Sequence, residues 1–362
     1  MKLETVGNSA RGGVLVFVTC FSPLAHAATA QVDTPGVSGS AQVEPVPQTV
    51  GRAPEADKNG GPPAIETLID YAGVLTPKGK FVIEPTLQYA HSSVYRIGVE
   101  GYSVLPAILV GAIQVEDTSR DTYVTALTTR YGLTQRLELE ARIPYVWRTD
   151  STLTRNVEGT STPILVSSDG QGLGDVEVAG HYQLNQGPTG PYYVANLRVK
   201  APTGEDPFGI PLNNNGLLTR LPTGSGFWGV QPSLNAIFPS DPAVFYGNLS
   251  YLWNMKRDVG GDYGKIDPGD AIGFGFGMGL SLNDKASFSL GYDHSIVGKP
   301  RQQLPGEGEQ VVPNSRIQQV GSVLFGYSYR LGARTGFNLN FAIGATEDAP
   351  DVQLTLRLPM TL

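Results

Sequence analysis

The chain of 362 residues is long for one ordinary domain and normal for one large barrel with appendages. Only 16% of its residues are charged and 45 are glycine, which suits a strand-rich architecture better than a helical one. Beyond the N-terminus no run of about 18 apolar residues occurs, which excludes a transmembrane helix, and the formal net charge of −7 argues against a nucleic-acid partner.

Residues 1–27 read as a secretory signal peptide. Lys2 and Arg11 give a basic start, Val14 to Phe21 form an apolar stretch, and Ala25-His26-Ala27 is a small-x-small cleavage site. The single cysteine, Cys20, lies inside this segment, so the mature chain holds no disulfide, thiolate nucleophile or cysteine–metal site. Removing Lys2, Arg11 and Glu4 takes the 26 basic and 33 acidic residues to 24 and 32, a net of −8. Residues 28–63 are rich in Pro, Gly, Ser and Gln without periodicity, as expected for a disordered periplasmic arm. Within 64–79, Ile65, Leu68, Ile69 and Ala72 share one helical face, and Gly73 and Pro77 end the pattern, which predicts a short helix or connector.

From Lys80 the period changes to two. In Arg136 to Arg148, Leu137, Leu139, Ala141, Ile143, Tyr145 and Trp147 point one way; Arg136, Glu138, Glu140, Arg142 and Arg148 point the other. Successive strand side chains alternate faces, so this segment has one oily face and one salted face. The pattern recurs to the C-terminus, through sets such as Ile272, Phe274, Phe276 and Met278, or Val352, Leu354, Leu356 and Leu358. It predicts an all-β fold over 80–362, a single transmembrane antiparallel β-barrel of about twelve strands of roughly 10–13 residues each. Short turns at 132–135, 186–190, 239–242, 283–285 and 332–334 alternate with long loops near 91–120, 149–171, 203–225, 255–269 and 298–315. Short on one side and long on the other is the layout of outer-membrane barrels.

A water-soluble β-sandwich would also alternate. The oily faces here carry no Asp, Glu, Lys or Arg, and His294 is their one titratable member. Trp147, Trp228 and Trp253 fall outward at the long-loop ends, and Tyr131, Tyr182 and Phe238 outward near the short turns, which makes two aromatic girdles. The expected location is the cell outer membrane, with outer-membrane lipid, the barrel-assembly machinery and a small-molecule solute as partners.

The inward parity collects Glu84, Arg130, Arg136, Glu138, Glu140, Arg142, Arg148, Asp175, Glu177, His181, Arg198, Lys200, Asp293, Arg330 and Arg357. These are the expected lumen-lining residues. Read blandly, they are a salt-bridged interior in which Arg136 pairs with Glu138 and Arg142 with Glu140 across neighbouring strands. The mixture of signs predicts no strong anion or cation preference. Gly273-Phe-Gly-Phe-Gly-Met-Gly279 has glycine at every second position on the lumen face, leaving room for a plug or loop, and lacks the strand–helix context of a dinucleotide loop. His91, His181 and His294 have no ligand spacing, so neither a metal nor a cofactor is expected. His91 and Ser93 share the outward parity at the end of the first strand, two of the three parts of a lipid-active hydrolase; no residue to orient the histidine is identifiable.

Residues 73–89 (GVLTPKGKFVIEPTLQY), 131–140 (YGLTQRLELE), 172–177 (GLGDVE) and 200–204 (KAPTG) together resemble a family of outer-membrane proteins linked by name to the meta-cleavage pathway of phenol degradation. The resemblance runs from about residue 73 to the C-terminus and implies a barrel acting as a transporter of hydrophobic or aromatic molecules; the family carries no agreed catalytic residues. The expected function is therefore an outer-membrane channel or uptake barrel for small solutes, with the hydrolase and a structural or adhesive barrel as the alternatives. The C-terminal Leu362 departs from the aromatic ending usual in such barrels.

Overall fold

The computed structural model of the protein describes residues 75–93, 115–154, 164–185, 190–211, 219–240, 243–260, 263–304, 306, 308–312 and 315–362. The expected signal peptide, arm and short helix lie outside these residues. Leu75 to Lys80 are non-helical, with a turn at Lys78–Gly79.

The described chain forms a closed 12-strand antiparallel barrel. The strands are β1 (Phe81–Ser93), β2 (Val115–Gly132), β3 (Leu137–Thr154), β4 (Ile164–Leu173, continuing as Val176–Gln183), β5 (Tyr192–Ala201), β6 (Gly229–Pro239), β7 (Ala243–Asn254), β8 (Ala271–Ser281), β9 (Ala286–Val297), β10 (Gln318–Arg330), β11 (Gly336–Gly344) and β12 (Val352–Arg357, continuing as Met360–Thr361). Each pairs with its sequence neighbours. β12 pairs with β1, with Leu87 opposite Leu356, so the sheet has no free edge.

Prolines mark the irregular places in the ladder. Pro144 of β3 has no N–H to give to β4, and there β4 breaks at Gly174–Asp175; the Pro144 carbonyl is kept by Gly174 N at 2.9 Å. Pro232 sits where the β6–β7 pairing skips from Val230 to Ser233.

The two faces are as the alternation predicts. Along β3, Leu139, Ile143 and Trp147 are 44%, 50% and 40% exposed, whereas Glu138 is 5% exposed. All three tryptophans, and Tyr131, Tyr182 and Phe238, are outward and exposed. Tyr131 stands opposite Leu139 and Tyr123 opposite Trp147, eight positions further along β3. Eight residues at about 3.4 Å each make about 27 Å of strand, or about 20 Å of apolar band at a tilt near 40°. His294 does face outward, but it is covered: its ring stacks on Phe274 and Tyr292, and its Nδ1 is 3.0 Å from the Tyr292 hydroxyl.

The strand lengths differ from expectation. β2 and β3 run for 18 residues each and absorb part of the expected loops 91–120 and 149–171. Past Tyr123 and Trp147 the alternation of apolar residues stops, as at Ser119–Arg120 and Thr149–Ser151, while the hydrogen-bond ladder between the two strands continues. The loops after β7 and β9 also hold structure: Arg257–Gly260, Gly264–Asp267, Arg301–Gln303 and Gln310–Val311 form a separate four-stranded sheet.

Candidate functional site

The inside of the barrel has two unlike walls around a cavity of about 350 Å³. On β1 to β5 the inward parity brings charges together in a web. Arg130 donates to Glu84 at 2.6 Å and lies 3.4 Å from Glu140. Arg198 reaches Glu140 and Glu177 at 3.8 and 4.0 Å, His181 reaches Glu140 at 3.7 Å, and Arg357 reaches Glu84 at 3.9 Å. Arg142 pairs with Glu177 at 3.6 Å, not with Glu140, and Glu138 accepts from the Thr76 backbone N–H at 2.6 Å, not from Arg136. The expected pairings were thus wrong in partner though right in kind. Antiparallel register sets Arg142 opposite Glu177 and Arg130 opposite Glu140, and register is invisible from one strand alone.

Twelve of the fifteen expected lumen residues line this cavity: Glu84, Arg130, Glu138, Glu140, Arg142, Arg148, Asp175, Glu177, His181, Arg198, Asp293 and Arg357. Arg136 lies in the β2–β3 turn, Arg330 is the last residue of β10, and Lys200 is 2% exposed beneath a loop.

That loop joins β5 to β6. Its residues Leu221 to Phe227 are all buried, lying along the inner face of β4 as a strap. Gly170 makes the close approach possible, since a Cβ there would run into the backbone of Leu221; at Gly172 a Cβ would only touch Thr223, at 3.5 Å. Leu221 N donates to Asp169 O at 2.9 Å, the Thr223 hydroxyl to Leu173 O at 2.7 Å, and Arg148 Nη1 to Pro222 O at 3.0 Å. The anchor is buried and charged. Asp175 accepts from Ser225 N at 2.9 Å, from Ser225 Oγ at 2.6 Å and from Gly204 N at 3.1 Å, while Lys200 Nζ donates to Ser225 Oγ at 2.7 Å and pairs with Asp175 at 3.7 Å. Phe227 is held edge-on by Phe208, 5.6 Å between centroids.

The second wall, on β6 to β9, was noticed in the sequence only at Asp293 and the 273–279 glycines, because the rest of it is neutral. Gln231, Ser233, Asn235, Asn248 and Ser250 face the cavity, and Asn248 donates to Asn235. Tyr246 lies across this wall. A Cβ on Gly291 would sit 2.6 Å from its hydroxyl, and one on Gly277 would also collide with it. The glycines of 273–279 therefore make room for Tyr246 at Gly277, not for a plug there.

The outward pair His91 and Ser93 is brought together with two carboxylates. His91 Nδ1 is 2.8 Å from Asp121, which also accepts from the Tyr89 hydroxyl at 2.8 Å. Ser93 Oγ donates to Asp351 at 2.6 Å. Asp121 thus orients the histidine, while the serine hydroxyl is engaged elsewhere than on His91. No group of three or more potential metal ligands occurs among the described residues.

A closed barrel with an apolar outer band, two aromatic girdles and a charged interior is a β-barrel of the bacterial outer membrane. The chain belongs to the family described as "Putative MetA-pathway of phenol degradation", whose model matches residues 100–360. Its fold is similar to that of an outer membrane channel from Pseudomonas putida F1, with 16% identity, a TM-score of 0.57, and coverage of 81% of this chain and 98% of that one. Weaker likenesses are to the translocator domain of the autotransporter NalP from Neisseria meningitidis (10% identity, TM-score 0.40, 82% and 92% covered) and to the Ralstonia pickettii toluene transporter TbuX (11% identity, TM-score 0.39, 79% and 90% covered).

Proposed function

We propose that the protein is an outer-membrane channel that admits small solutes, aromatic and other hydrophobic molecules among them. The observation that carries this reading is the polar cavity inside a wall whose outside is oily. A barrel of this size needs no ion-paired interior to be stable, since burying charges costs free energy that only close pairing offsets. The web on β1 to β5 keeps its charges paired while leaving a wet passage beside the amide-rich wall. The family description supports the aromatic part of the reading, and the Pseudomonas putida relative supports the channel part.

Conductance of the refolded full-length protein in a planar bilayer tests it. Wild-type protein should carry a current. Arg142→Ala with Glu140→Ala should raise that current, because it empties volume from the charged wall while Glu84–Arg130 and Arg198–Glu177 still balance. If neither protein conducts, and deletion of residues 28–72 does not open a path, the channel reading fails and a structural or adhesive barrel replaces it. We also infer that residues 1–27 are a signal peptide removed on export, so N-terminal sequencing of membrane-fraction protein should begin near Ala28; a retained Met1 would contradict it.

A further inference from the structure

One carboxylate in the lumen is treated unlike the others. Glu84 is held by Arg130 and Arg357, Glu138 by Thr76 N, Glu140 by Arg130, Arg198 and His181, Asp175 by Lys200 and Ser225, and Glu177 by Arg142 and Arg198. Asp293 lines the same cavity from β9, and its Oδ1 is buried with no hydrogen-bond partner among the described residues. Its strand partners are Gly275 on one side and Ser322 on the other, with Tyr246 two positions along, opposite Gly277. None of these is cationic.

The charged wall is close to neutral. Among its cavity-lining residues, Glu84, Glu138, Glu140, Asp175 and Glu177 stand against Arg130, Arg142, Arg148, Arg198 and Arg357, with Lys200 beside Asp175. Asp293 stands apart from these cations, on the wall that otherwise offers amides, hydroxyls and glycine. An anionic oxygen in a partly water-excluded channel is costly unless a cation or a strong donor visits it. Gly275 beside it adds room, since a Cβ there would meet nothing nearer than 3.5 Å.

We propose that Asp293 is a cation-attracting station in the lumen, so that the channel favours inorganic cations and small ammonium-bearing solutes over anions. This rests on the channel reading and departs from the expectation of no strong charge preference: mixed signs cancel only where they pair. The carboxylate raises the local concentration of cations beside it and lowers that of anions, which is how a single charge biases a pore.

The test pairs a flux with a binding measurement. Under a KCl gradient, wild-type protein should show a reversal potential of the cation-selective sign. By calorimetry in detergent it should bind benzylammonium more tightly than benzoate. Asp293→Asn keeps shape and removes charge; it should lower both the cation-to-anion permeability ratio and benzylammonium affinity on the order of tenfold. Asp284→Asn, at the exposed β8–β9 turn, should change neither, and equal heat-modified migration on gels establishes that all three proteins fold. A conducting wild type without cation preference, or an Asp293→Asn protein that keeps it, overturns the station and leaves the channel reading standing. Asp293-dependent binding of benzylammonium without any current supports the station and sinks the channel instead. No current and no binding overturns both.

Discussion

Lys200→Met is expected to free the strap. The substitution leaves Asp175 and the Ser225 hydroxyl buried without their cation, and removing one partner of a buried ion pair costs about 3–5 kcal/mol. The barrel has a route to relieve that cost without unfolding, because the strap belongs to the β5–β6 loop and not to the strand ladder, and its charged anchor is the Asp175–Ser225–Lys200 cluster. Two readouts should move together. The Arg220–Leu221 bond, at the entry of the strap, should be cut by trypsin much faster than in wild type, and single-channel conductance should rise or become noisy. Ser225→Ala should show a weaker form of both changes, since Asp175 and Lys200 still pair. Unchanged cleavage at Arg220 together with unchanged conductance would show that the strap is fixed by its glycine-lined bed alone.

Ile143→Arg is expected to prevent folding into lipid vesicles, and Leu139→Arg to do so less. Both side chains face outward, but they differ in depth. Leu139 stands opposite the girdle residue Tyr131, whereas Ile143 stands opposite Leu127, midway between Tyr131 and Tyr123. An arginine on the lipid face costs about 2–4 kcal/mol at mid-bilayer and about 0–1 kcal/mol near the interface. Glu140→Gln, one residue from Leu139 and facing the lumen, should fold with wild-type yield. Urea titration in vesicles measures the order, and equal midpoints for Ile143→Arg and Glu140→Gln would mean that the face assignment is wrong.

The parts of the barrel that touch lipid were legible in the sequence. A strand between oil and water must alternate, so the faces, the girdles and the strand count all follow from a period of two. Three things were not legible, each for a physical reason. Ion-pair partners depend on register between strands, which is why Arg142 went to Glu177. The ends of β2 and β3 beyond Tyr123 and Trp147 lose the apolar alternation, so nothing in their polarity distinguishes strand from loop. The strap Leu221 to Phe227 is a Gly- and Pro-containing stretch that reads as an exposed loop; its burial depends on the close approach at Gly170, some fifty residues away in sequence. The family strings at 172–177 and 200–204 turn out to be the dock of that strap, with Asp175 and Lys200 inside them. Tyr246 and the amide wall were implied by parity but carried no charge to draw notice.

The seam between β1 and β12 joins two strands from opposite ends of the barrel sequence. β12 is the last of the twelve strands in the sequence, so the wall stays open until it joins β1, and contacts so distant in sequence form slowly. Throughout that interval each of the two strands offers a row of unpaired backbone groups, a template for pairing with another copy. Each also carries a proline at the seam. Pro85 presents its carbonyl, but no N–H, toward Leu358, and Pro359 follows where β12 is interrupted. A foreign strand laid on β1 with a regular ladder would lose a hydrogen bond at Pro85. The native β12, with its own interruption at Leu358–Pro359, has no regular ladder there to lose. The cost of a regular foreign strand at Pro85 is thus one hydrogen bond that the native β12 never forms.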